Sequence, residues 1–165
     1  MHPIVFNRLS SMLSIQERKQ LNIDFFTALG RVMQGCFSET GKRMQWTNYR
    51  TGIRGIYVRI ELEKKGVSFN VDLEIKDPDI KEMMWEQMLE LKAVLASEIP
   101  AELTWNEDFV KPTGISVGRI QCRCGTGTIY NKGTWPEMLA FLKESLLGFD
   151  RFWAICFDIF KALEE

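Results

Sequence analysis

Histidine is nearly missing. The 165 residues contain one, His2. That excludes an internal Ser-His or Cys-His pair and any imidazole metal site, since each needs an imidazole held inside the fold. Cysteine is also sparse. Cys36, Cys122, Cys124 and Cys156 are too few for a dense disulfide framework, and a chain this long buries enough apolar surface to need none. Cys122 and Cys124 are two apart, which is not the C-x-x-C of a redox or zinc knuckle, and on a strand they share one face. Four reduced thiols, mostly buried, are expected. No apolar run reaches the roughly 20 residues of a membrane span. Arg8 interrupts the apolar stretch near the start, so neither a signal peptide nor a membrane partner is expected, and the cytoplasm is the default compartment. The net charge is −1, so no global field draws the chain to nucleic acid or anionic lipid. Any such attraction must come from a local patch.

Hydrophobic residues make up 45% of the chain and charged residues 26%, a balance that argues for a packed domain rather than disorder. One domain is expected, with residues 1–13 as an N-terminal arm and 14–165 as the globular body. Ser14-Ile15-Gln16-Glu17 is a capping box, and a helix should follow to about Gly35 with Phe25, Phe26, Leu29, Val32, Met33 and Cys36 on its apolar stripe. Residues 44–49 fit a short strand. Ile56, Val58, Ile60 and Leu62 alternate with polar neighbours, Lys64-Lys65-Gly66 turns the chain, and Val67, Phe69, Val71, Leu73 and Ile75 alternate again. This predicts a hairpin.

Asp77-Pro78 caps the next helix, which carries Ile80, Met84, Met88, Leu91 and Leu95 inward and Glu82, Glu86 and Glu90 outward until Pro100 stops it. Strands fit 103–105 and 116–122, with a loop over 125–133. Thr134-Trp135-Pro136-Glu137 reads as a second capping box, opening a helix that Gly148 should break before a final aromatic helix. The pattern predicts an α+β fold: a central sheet of four to five strands, flanked by long helices.

Several of these residues also carry a resemblance. The run Trp46-x-Asn48-Tyr49-x-Thr51-Gly52-Ile53-x-x-Ile56-Tyr57 resembles the opening signature of a bacterial family, the domain of unknown function 4268. So do Glu86-Gln87-x-x-Glu90-Leu91-Lys92, Trp135-Pro136 and Phe152-Trp153, and the similarity covers roughly residues 16 to 160. The resemblance implies a restriction-endonuclease-like core (α-β-β-β-α-β) followed by C-terminal helices. It brings no activity, substrate or catalytic residue.

Four constellations can carry chemistry. The first is Asp72-x-Glu74-x-Lys76, whose three side chains share one strand face. Glu74-x-Lys76 is similar to the (D/E)-x-K element of restriction-endonuclease-like nucleases. There Asp72 and Glu74 would hold Mg²⁺, and Lys76 would help to activate water. That pattern needs another acid opposite Glu74. A two-residue Lys64-Lys65 turn sets Glu74 against Gly55, and a four-residue loop sets it against Tyr57. Neither is acidic, which leaves Asp72, or Glu17 and Asp24 on the first helix, to fill the place. The plainer reading makes these solvent-side charges, with Arg59 pairing across to Asp72.

The second lies in residues 40–60, which hold Lys42, Arg43, Arg50, Arg54 and Arg59 and no Asp or Glu, with Trp46, Asn48, Tyr49 and Tyr57 interleaved. Cations can neutralise phosphates and rings can stack bases. The alternative is that these cations pair with acids of the same fold. The third is the aromatic end, Trp135, Phe141, Phe149, Phe152, Trp153, Phe157 and Phe160, which forms either core or a homodimer face. The fourth, Gly125-Thr126-Gly127, lacks a following helix and a P-loop lysine and reads as a plain loop.

Together these favour a non-catalytic nucleic-acid-associated domain that contacts DNA or RNA through Lys42, Arg43, Trp46, Tyr49, Arg50, Arg54 and Arg59. The alternatives are a homodimeric protein-interaction domain and a Mg²⁺-dependent nuclease with a degenerate site at Asp72, Glu74 and Lys76. All three need residues 67–76 to be extended, with the acids opposite Phe69 and Leu73.

Overall fold

A computed structural model describes residues 13–164. His2 and all of the expected N-terminal arm except Leu13 lie outside the described residues. Helix α1 spans Ile15–Val32, and its capping box forms: the Glu17 N–H donates to Ser14 Oγ at 3.1 Å and the Ser14 N–H to Glu17 Oε1 at 3.4 Å. Strands β1 (Ile56–Leu62) and β2 (Val67–Leu73) make the hairpin. Helix α2 (Pro78–Glu90) starts on Asp77 with proline in its first turn. It is followed by α3 (Lys92–Glu98), β3 (Thr104–Val110), β4 (Ser116–Cys124) and α4 (Trp135–Glu164).

The sheet order is β1-β2-β4-β3, antiparallel at every pair. Ile56 pairs with Leu73 and Leu62 with Val67, and the Glu74 N–H reaches Gly55 O at 2.7 Å. The Lys64-Lys65 turn is therefore the two-residue one, with Gly66 at φ +82°.

Helices cover one face of the sheet. Phe69 on β2 meets Phe149 on α4 with ring centroids 6.1 Å apart, and Trp85 on α2 lies against Gly118 on β4. Helix α4 touches each of the other three helices. Its rings Phe149, Phe152, Trp153 and Phe160 are 0–4% exposed, with Phe149 and Phe160 stacked on either side of Trp153 at 5.5 and 5.2 Å. The aromatic end is thus core of this chain. Each such ring contributes about 1.5–3 kcal/mol by leaving water.

Four expectations are corrected. Residues 44–49 form no strand; Trp46–Asn48 is a 3-10 turn. Trp46 and Tyr49 are three apart, and 3.0 residues per turn puts both rings on the buried side. The α-β-β-β-α-β order implied by the resemblance therefore lacks its first strand. The long helix expected up to Pro100 is two, broken at Leu91, whose ψ is 11°. The second capping box does not form. Thr134 Oγ donates toward the carbonyls of Thr128 and Asn131, and the Glu137 carboxylate accepts instead from Thr126 Oγ1 at 3.0 Å.

Finally, Gly148 does not break the last helix, and α4 runs 30 residues through it. A Cβ there would sit 2.0 Å from the Glu98 carbonyl oxygen at the end of α3. The glycine is a packing requirement, and the aromatic neighbours supply more burial than one glycine's helix penalty of about 1 kcal/mol.

Gly148→Ala should therefore lose stability by about 1–3 kcal/mol in urea unfolding, because the clash outweighs the gain in helix propensity. Gly30→Ala, exposed in α1 with nothing within 4 Å of its Cβ, should gain about 0.5–1 kcal/mol. Equal effects at the two positions would contradict this account.

Candidate functional site

Strand β2 is an inner strand, so longer side chains from both neighbours lean over its non-helical face. Ser68, Asn70 and Asp72 lie on that face, as strand parity requires, and all three are 0% exposed. The expectation of solvent-side acids is thus corrected for Asp72. Arg119 on β4, 3% exposed, donates from Nε to Asp72 Oδ1 at 2.8 Å and from Nη2 to Oδ2 at 2.9 Å. It also forks onto Glu61 at 2.8 and 3.1 Å. Arg59 Nη1 donates to Asp72 Oδ2 at 2.8 Å, the cross-strand pair read from the sequence, and its guanidinium also reaches Glu74 Oε1 at 3.3 Å. Lys111 Nζ takes the same Glu74 oxygen at 3.3 Å.

Rings cap both arginines. Tyr57 lies 4.6 Å from Arg59 and Phe109 4.2 Å from Arg119, within cation–π range. Phe109 gets there through a bulge. Asn106 pairs with Arg119, but the register shifts before Phe109, which pairs with Val117. Without that extra residue Phe109 would face Ser116 and point to the other side of the sheet. Burial alone would lower the pKa of Arg119; the bonds from Asp72 and Glu61 outweigh it and raise it, so the guanidinium stays charged.

This cluster brings together Asp72, Glu74 and Arg59 from the sequence reading and leaves Lys76 out. Lys76 lies beyond β2 in a bend, exposed, and Lys111 occupies the place near Glu74. Neither Glu17 nor Asp24 joins: Glu17 is engaged in the α1 cap, and Asp24 takes Gln20 and Lys132. Among the described residues no three of His, Cys, Asp and Glu gather as a metal site would need. Both oxygens of Asp72 and Oε1 of Glu74, which would ligate Mg²⁺, are bonded to cations of the chain itself.

The basic segment is assembled differently. Trp46 is 5% exposed and donates from Nε1 to Cys36 O at 3.2 Å; Tyr49 is 7% exposed and donates its hydroxyl to Asp150 Oδ1 at 2.7 Å. Neither ring is on the surface, so the expectation that they stack bases is corrected. They are anchors. Asp150, on α4, also accepts from Ser38 Oγ at 3.0 Å and the Glu39 N–H at 2.7 Å. Burial, then the bond to Asp150 and its charge, push the Tyr49 phenol well above its ordinary pKa, so it remains a donor. Around these anchors Lys42, Arg43, Arg50 and Arg54 are exposed, and none makes a side-chain ion pair among the described residues. Arg59 is taken up by the acidic cluster.

The sequence reading missed Arg119, Glu61, Phe109 and Asp150. Asp150 left a signal: it falls four residues after Leu146 and three before Trp153, a lone acid on the apolar stripe of α4.

A family model described as a domain of unknown function (DUF4268) matches residues 21–156. The chain belongs to this family. No curated protein and no solved structure matches it. The DUF4268 match runs from α1 to the aromatic part of α4, so it takes in Asp72, Arg119, the basic segment and Asp150.

The four cysteines are free, and within the DUF4268 span Cys122 is buried beside Ser145, with Sγ and Oγ 3.8 Å apart. Burial pushes its thiol up to about 11, against a smaller lowering by Ser145, and burial raises Cys156 too. These are poor nucleophiles.

Four outcomes follow for this region. Asp72→Ala should cost about 3–5 kcal/mol, because it strands Arg119 in a buried place with half its partners gone. Asp72→Leu combined with Arg119→Met should cost far less than the two single changes added, and additivity in that cycle would deny the coupling. A thiol reagent at pH 8 should label the half-buried Cys36 and Cys124 and spare Cys122 and Cys156 until the chain unfolds. The folded Cys122 thiol titrates above its unfolded value of about 8.5. Its contribution is therefore intact below that pH and lost as pH rises toward 11, and Cys122→Ala should flatten that part of the alkaline decline.

Proposed function

We propose that this chain is a non-catalytic nucleic-acid-associated domain that works in the cytoplasm as one unit and contacts phosphates through Lys42, Arg43, Arg50 and Arg54. One observation carries the reading. These four cations are exposed on an acid-free segment, with Arg54 beside Glu164 and no side-chain ion pair at Lys42, Arg43 or Arg50 among the described residues, while Trp46 and Tyr49 pin that segment to the core. Cations held on a fixed backbone lose less conformational freedom on binding than cations on a mobile tail. With a net charge of −1, the attraction is confined to this patch.

The proposal includes descent from a restriction-endonuclease-like core whose cleavage chemistry is gone. Its support is the position of Asp72 on the second strand of a hairpin flanked by helices and of Glu74 just past that strand's end, together with the neutralisation of both acids by Arg59, Arg119 and Lys111. A nuclease reading would require Mg²⁺ to displace two guanidinium groups and an ammonium, and nothing in the geometry favours that.

Fluorescence anisotropy with labelled DNA and RNA, at about 50 and 200 mM salt, tests it. Binding should weaken with salt at a log–log slope of about 0.9 per phosphate neutralised. Lys42→Ala with Arg43→Ala, and Arg50→Ala with Arg54→Ala, should each lower both affinity and slope. Absence of binding at low salt, or a quadruple variant that binds as well as the parent, would sink the proposal.

A further inference from the structure

Phe37 is 59% exposed, unusual for a phenylalanine in a chain that buries most of its rings. It forms an isolated antiparallel bridge with Arg43, closed by Ser38 N–H to Lys42 O at 3.0 Å. Residues opposite each other in such a bridge project to the same side, so the Phe37 ring and the Arg43 guanidinium share one surface. Both line a groove of about 490 Å³ between the C-terminal end of α1 and residues 43–47, where Gln34 and Gln45 also sit. Thr47 joins this groove to a second depression along α1, beside Asn22 and the exposed Ile23. From Asn22 to the helix end at Val32 the two depressions follow about 15 Å of α1 at 1.5 Å per residue. Charge here is mostly positive. Between Asn22 and Arg54 the acids are Asp24, engaged with Gln20 and Lys132, and Glu39, against Arg31, Lys42, Arg43, Arg50 and Arg54.

We propose that this groove takes single-stranded nucleic acid, with an unpaired base stacked on Phe37. The inference rests on the reading of the Lys42–Arg54 surface as a phosphate-binding one and names the form of nucleic acid it selects. A free ring can reach a base face only where the base is not already stacked inside a duplex. Gln34 and Gln45 each offer a donor and an acceptor that match base edges, and Arg43 lies in the same groove where the strand's backbone would pass. A volume of several hundred Å³ is the size of pocket that takes a nucleotide-sized ligand.

The test compares a labelled oligo-dT or oligo-U with a duplex of equal length, on the full chain and on Phe37→Ala and Phe37→Trp, with poly-glutamate as competitor. Phe37→Ala should weaken single-strand binding about tenfold, a loss of the size that removing one stacked base gives. It should leave duplex binding and the melting curve unchanged, and Phe37→Trp should restore single-strand binding. Equal affinity for both forms with a silent Phe37→Ala overturns the groove while leaving the phosphate surface intact, provided Arg50→Ala with Arg54→Ala still weakens both. Displacement by poly-glutamate as effective as by unlabelled oligonucleotide would make the groove a site for acidic polypeptide and overturn it too. No binding of either nucleic acid sinks this inference and the reading beneath it together.

Discussion

The carboxylate of Asp72 lies on the inner strand of a four-stranded sheet, wholly out of water, with an arginine on either side. Taking such a group from water costs several kcal/mol, and attraction offsets that only where the geometry is good and hydrogen bonds reach both oxygens. Here three N–H groups serve its two oxygens. The wider cluster is balanced as well: Glu61, Asp72 and Glu74 face Arg59, Lys111 and Arg119, three charges of each sign. Tyr57 and Phe109 close its flanks. This face of the sheet can therefore keep its buried charges, while α2 and α4 pack on the other. The same balance removes from service the acids that the hairpin would otherwise present to a metal.

Asp150 performs a different task with the same kind of group. No cation meets it among the described residues; its partners are a phenol, a hydroxyl and a backbone N–H. All three come from the segment between α1 and β1. One helix side chain thus fixes both ends of the stretch that displays Lys42 and Arg43, because Ser38 precedes those residues and Tyr49 follows them. Trp46 fastens the middle through Cys36 O. The aromatic residues of this segment divide by role: Trp46 and Tyr49 hold it down, and Phe37 stays outside.

Features that depend on neighbours in sequence were readable in advance. The α1 capping box, the Asp77-Pro78 start and the alternating hairpin each need only residues a few positions apart, and all three form. Parity also placed Asp72 on the correct side of β2. Features that depend on a distant partner were not readable. Gly148 looks like a helix stop until the Glu98 carbonyl is seen 2.0 Å from where its Cβ would lie. The burial of Asp72 follows from the sheet order, which sets β4 with Arg119 beside β2 across 47 residues of chain. Trp46 and Tyr49 read as surface aromatics among arginines because a 3-10 turn and a strand differ in period, and six residues are too few to tell the two apart.

The two candidate places therefore differ in what they can still do. In the Asp72 cluster each charged group already has its partner, and a ligand would have to break bonds that hold the sheet together. Along α1 and residues 37–54 the reverse holds: the polar groups that matter structurally, Asp150, Ser38 and the Tyr49 hydroxyl, are satisfied inward, and the cations left over point outward. Structural demand has been met there without consuming the positive charge. A ligand that neutralises Lys42 and Arg43 has no internal ion pair to displace, so the cost of binding is reduced to dehydrating the cations and ordering their side chains.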